Sequence, residues 1–113
     1  MGDRVLLQVV RKDEKPEFSP VIYCHWLGGD AVEAVKRLAV RMNGRRGDVY
    51  YIAARLLQEV INGDVGDTGF GMWNAKKVLT AKDSQGDAGV ILVDAETFEM
   101  TFLGGYLPNG DGS

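Results

Sequence analysis

Val21-Ile22-Tyr23-Cys24-His25-Trp26-Leu27-Gly28-Gly29-Asp30 decides the fold, because an apolar strand runs through two glycines straight into a helix start. Alternation along that strand puts Val21, Tyr23 and His25 on one face and Ile22, Cys24 and Trp26 on the other. Asp30 is placed to cap a helix, with Glu33 three residues on to complete a capping-box pair. Val32, Val35, Leu38, Ala39 and Met42 then recur at helical spacing, and Gly44 stops the helix.

Outward on the C-terminal side, Asp48 caps a second helix with the apolar set Val49, Ile52, Ala53, Leu56, Leu57 and Val60. Its polar side carries Arg55, Gln58 and Glu59, and Arg55 and Glu59 are spaced for an i,i+4 pair. Only Gly44–Gly47 separates the two helices, which therefore form an antiparallel αα-hairpin. After the glycine-rich loop Asn62–Gly71, a short strand is expected around Phe70–Asn74, extended or restarted over Val78–Ala81. Ala88–Asp94 reads as a strand buried on both sides. Asp94–Thr97 is a hairpin turn, 98–103 a last strand, and Gly104–Ser113 a frayed tail.

Outward on the N-terminal side, Arg4–Arg11 is a strand with Val5, Leu7 and Val9 on one face and Leu6, Gln8 and Val10 on the other. Lys12–Pro20 is a loop that returns the chain as a hairpin. The fold class is α+β, a mainly antiparallel β-sheet in the order ββααβββ with the αα-hairpin packed on one face. All 113 residues belong to a single domain with an ordered core of about 4–103.

Two helices cover one face of such a sheet, yet Val5–Val10 and Val90–Val93 are apolar on both. The open face needs a cover. A second copy packed sheet to sheet in a homodimer is the economical one; the alternative is the loop Lys76–Asp87 with the tail folded across it.

A formal charge of −3, from 13 basic and 16 acidic side chains, argues against a broad nucleic-acid surface. A lone cysteine excludes an intrachain disulfide and suits a reducing, cytoplasmic setting, and the N-terminal apolar run is too short for a signal peptide or membrane span. No membrane association is expected.

Cys24 and His25 look like a thiol and its base, but strand neighbours point apart. Cys24 reads as a small buried hydrophobe. His25 is a hydrogen-bonded structural residue at the sheet end or a functional one paired with Asp30 or Asp48. With one His and one Cys, a metal site lacks ligands, and no cofactor motif is present. Gly28-Gly29-Asp30 could hold an anion at the helix start, but Asp30 would repel it. Asp67-Thr68-Gly69 is the tripeptide of aspartic proteases, yet it follows Asp64 and Gly66 rather than an apolar strand, and a strong helix pair lies upstream. The same loop fails the EF-hand pattern, since position twelve is Trp73 or Ala75. Tyr50, Tyr51, Phe70 and Trp73 could line a groove with Tyr23 and Trp26, though aromatic residues more often build cores. Tyr51 and Arg55, one turn apart on the less apolar side of the second helix, are the residue types of an interface hot spot.

Ser19-Pro20-x-x-Tyr23-x-His25-Trp26, Gly47-Asp48-x-x-Tyr51-x-x-Ala54-Arg55 and Gly69-x-Gly71-x-Trp73-Asn74 together resemble a family of small uncharacterised proteins of bacterial and phage genomes, over roughly residues 4–103. The resemblance implies a bacterial, phage or prophage origin and brings no activity or cofactor. It directs attention to Tyr23, His25, Trp26, Asp48, Tyr51, Arg55, Trp73 and Asn74. The leading expectation is a non-enzymatic accessory protein acting by protein–protein interaction as a homodimer, with Tyr23, His25, Tyr51, Arg55, Trp73 and Asn74 as its binding residues. The competing one is a small hydrolase or ligand-binding enzyme using His25 with Asp48 or Arg55.

Overall fold

The computed structural model describes residues 4–25, 30–61 and 69–107. Expectations on Trp26, Gly28, Gly29, Asp67, Thr68 and residues 108–113 lie outside the described residues. The elements follow as β1 (Val5–Arg11), β2 (Glu17–Phe18), β3 (Val21–Cys24), α1 (Asp30–Arg41), α2 (Val49–Ile61), β4 (Phe70–Trp73), β5 (Gly89–Asp94) and β6 (Met100–Leu103). The class is α+β, a mostly antiparallel sheet with a helical hairpin on one side.

The six-stranded sheet runs β4-β3-β1-β5-β6, with β2 paired to β1 off that path. Its centre is parallel: Leu6 faces Val90 and Val9 faces Val93. Both central strands are covered on both faces, which explains why they read as continuous apolar runs rather than alternating ones. The Lys12–Pro20 loop is not free of strand structure, since Phe18 pairs with Val10. Ser19 continues the contact through its side chain, its Oγ accepting from Val9 N at 3.0 Å, where Pro20 has no N–H to offer.

Val5, Leu7 and Val9 join Ile22, Cys24, Ile91 and Val93 beneath the helices. Against them α1 lays Val35 and Leu38, with Met42 just beyond its end, as expected, but Ala31 and Ala34 take the places of Val32 and Ala39, which are only half-buried. Asp30 is counted in the first turn of α1 rather than outside it. On α2 the expected apolar set is buried, with Leu57 half-buried. Glu59 corrects the reading of the polar side. It is 5% exposed, and instead of pairing with Arg55 it receives Arg37 Nε at 3.0 Å and Arg41 Nε at 2.8 Å from α1. Arg55 turns to Gln58 Oε1 at 2.6 Å.

The other face is covered from within the chain, as in the alternative weighed above, so it offers no open apolar surface for a second copy packed sheet to sheet. Gln8 is fully buried there; its Nε2 donates to Ser19 O at 3.1 Å and Lys77 O at 3.2 Å, and its Oε1 accepts from Leu79 N at 2.9 Å. Leu79 packs on Leu6, Val21 and Val90. Val78–Ala81 is therefore not a strand, because a side-chain amide takes the backbone groups that a ladder would have used. A single 3₁₀ turn, Ala81–Asp83, follows, closed by Thr80 N donating to Asp83 Oδ2 at 2.7 Å.

The expected frayed tail is also ordered as far as Leu107. Tyr106 N donates to Asp87 O at 3.0 Å, and Leu107 is buried. Gly89 (φ 93°) permits this return, since a side chain there would strike the Leu103 carbonyl and Gly105.

Candidate functional site

The residues singled out from the sequence fall into two groups on opposite sides of the sheet. On the face away from the helices, Tyr23, His25 and Trp73 come together. Tyr23 and His25 are two apart on one strand face, and the Tyr23 hydroxyl lies 2.5 Å from His25 Nδ1. Trp73 is the cross-strand partner of Val21, which brings its ring to 6.0 Å from that of Tyr23. Gly71 lies opposite Tyr23, where an added Cβ would meet only the Tyr23 side chain, at 3.6 Å and 3.8 Å. Asn74 follows as an exposed residue.

His25 is tied into the sheet end by its own N–H, which donates to Gly69 O at 2.7 Å. Its charge is one of the influences that hold the Asp87 carboxyl below the usual range, after hydrogen bonds from the Arg4 backbone and side chain. Cys24 points into the helix-side core, and burial pushes its thiol up to about 12. It is no nucleophile at neutral pH.

The second group stands on the outer shoulder of α2. Asp48 Oδ1 accepts from Tyr51 N at 3.2 Å and Asp48 O from Ile52 N at 2.9 Å, so Asp48 is the N-cap its position predicts. That geometry commits the carboxylate to the helix and not to His25. Two guanidinium groups lie over the Tyr51 ring, Arg45 at 4.2 Å and Arg55 at 6.0 Å from the ring centroid. Among the described residues neither arginine has a carboxylate partner. Tyr50, its neighbour on α2, is 58% exposed.

A single aromatic groove therefore does not form. Phe70 packs on the helix-side core, Tyr50 and Tyr51 stand on α2, and Tyr23 with Trp73 lies across the sheet. Arg45 was not singled out in the sequence. The signal was the shortness of the 44–47 connection, which holds Arg45 beside the first turn of α2.

Two clefts stand out among the described residues. Val10, Val78 and Leu92 line one of about 280 Å³, rimmed by Asp13, Asp94 and Glu99. The other, about 420 Å³ and wide open, lies between Arg11, Arg46, Asp48, Tyr50 and Glu96. Neither contains His25 or Arg55. Among the described residues no group of His, Cys, Asp and Glu could hold a metal ion, and no helix is long and apolar enough to cross a membrane.

No protein-family model matches the chain, and neither does any curated protein or solved structure.

Proposed function

We propose that this chain is a non-enzymatic accessory protein of bacterial or phage origin that works in the cytoplasm as a homodimer and docks a protein partner on the shoulder of α2. The observation that carries the reading is the exposed Tyr51 ring with Arg45 and Arg55 beside it, neither guanidinium held by a carboxylate among the described residues. Tyrosine and arginine lose little entropy on contact for the area and hydrogen bonds they bring, which is why they dominate interface hot spots. An exposed cation–π contact is worth only about 0.5–1 kcal/mol, so the stack serves more to present the groups than to stabilise the fold. The separation of His25 from Asp48 and Arg55 across the sheet supports this reading over a hydrolase built on those residues.

The test compares affinity captures by the wild-type chain and the Tyr51→Ala/Arg55→Ala variant from one bacterial lysate. A partner held by the first and lost from the second supports the reading, given unchanged circular dichroism. Identical captures overturn it. Sedimentation equilibrium tests the homodimer separately, and a species of one chain mass at high micromolar concentration refutes that part.

A further inference from the structure

Strand β4 is an edge of the sheet among the described residues, paired to β3 on its inner side alone. Edge strands normally carry a lysine, a proline or a bulge that stops them from pairing with another chain. Phe70-Gly71-Met72-Trp73 has none of these and no charge. Met72 is 48% exposed and Trp73 42%, one on each face of the sheet.

We infer that β4 pairs antiparallel with β4 of a second copy about a two-fold axis perpendicular to the sheet, joining two sheets into one. This rests on the homodimer reading above and moves its surface from the sheet face, which the chain covers itself, to the sheet edge. Side chains opposite each other in an antiparallel pair share a face, so odd residues must meet odd ones and even meet even. Centred on Met72, the pairing sets Met72 against Met72 of the second copy and Trp73 against Gly71 of the second copy, twice. Centring on Gly71 sets Trp73 against Gly69, which lies outside the strand at φ 103°, and centring on Trp73 sets Gly71 against Ala75, beyond the strand end.

A bulky indole over a bare glycine backbone is a favourable cross-strand pair, because the ring covers the backbone that no side chain shields. Gly71 is open to this, since a Cβ there would meet only Tyr23 from the inner side. The incoming Trp73 would lie against the Tyr23 ring and extend the Tyr23–Trp73 pair already present at 6.0 Å. The strand carries both halves of that pair, indole and glycine, on one face and two residues apart. A second copy is therefore its natural complement, in preference to an unrelated extended segment.

The experiment uses the full chain carrying Met72→Cys, treated with a short bis-maleimide, with Thr101→Cys on the exposed opposite edge as control. Met72→Cys is expected to give a covalent dimer at micromolar concentration and Thr101→Cys none. Gly71→Thr fits the monomer, since its Cβ would stand at ordinary contact distance from Tyr23. It is expected to weaken sedimentation-detected dimerisation at least tenfold. A dimer that resists Gly71→Thr and fails to cross-link through Met72→Cys overturns the inference and leaves the homodimer reading standing. A monomer throughout overturns both. Cross-linking of Met72→Cys only to a different protein in a cell extract gives the edge to a foreign strand and also overturns the inference.

Discussion

Arg37 of α1 reaches across to Glu59 of α2, its Nε 3.0 Å from Oε1 and its second guanidinium nitrogen 3.1 Å from the Glu59 carbonyl. Glu59 is almost completely buried while both of its arginine partners remain half in solvent. The helix pair is thus locked by a carboxylate that has lost its water and depends on two cations at its rim.

That asymmetry makes a prediction about which partner matters more. Removing both cations with Arg37→Ala/Arg41→Ala strands a buried charge, at a cost of about 3 kcal/mol. Glu59→Gln leaves a neutral group and solvated arginines, at a cost of about 1 kcal/mol. Urea unfolding of the two variants checks the order; an equal loss would show that the carboxylate finds water in the folded state.

Gln8 is expected to be the most sensitive polar residue of the sheet. Gln8→Ala removes three hydrogen bonds and leaves the Leu79 N–H and Lys77 carbonyl without their partner. A loss of about 2–4 kcal/mol is expected, combining unsatisfied buried groups with a cavity. Hydrogen exchange at the Leu79 amide should accelerate well beyond that of Leu7 in β1. Unchanged protection at Leu79 would refute the role of the amide as the pin of that cover.

The Cys24 thiol should be inert to an aromatic disulfide reagent at pH 8 in the folded chain and react at once in denaturant. Its folded value of about 12 lies above the ordinary 9.0, so the fold favours the protonated form. Stability from this group is whole below pH 9 and falls as pH rises from 9.0 toward about 12, where the unfolded chain releases the proton first. Cys24→Ala should lose that alkaline slope. Rapid native labelling at pH 8 would contradict the burial.

Asp87 works in the opposite direction. Arg4 holds its carboxyl below the ordinary 3.8, first by the backbone N–H and then by the side chain. The contribution is present above pH 3.8 and is lost as pH falls through the lower folded value. Asp87→Asn should flatten acid unfolding monitored below pH 4. The same variant gives up the ion pair with Arg4, so its melting temperature at pH 7 should not exceed that of the wild type.

Much of this molecule is legible in local pattern. Short apolar runs mark β1, β3 and β5, period 3.6 marks both helices, and Asp48 caps α2 as its place before Val49 requires. The strand parity that separates Cys24 from His25 and unites Tyr23 with His25 follows from covalent geometry alone. Local pattern did not reveal the parallel pairing of β1 with β5, because a ladder between residues some 84 apart leaves no mark on its neighbours in sequence. The inward turn of Glu59 depends on Arg37 and Arg41 arriving from another helix, and the cover over Gln8 depends on 77–79 lying against β1. Composition and periodicity determined the main strands, both helices and the faces of β1, β3 and β5. Only the tertiary structure decided strand order, which polar side chains could enter the interior, and that His25 and Arg55 stand on opposite sides of the sheet, since each depends on partners that long-range packing alone brings within hydrogen-bond reach.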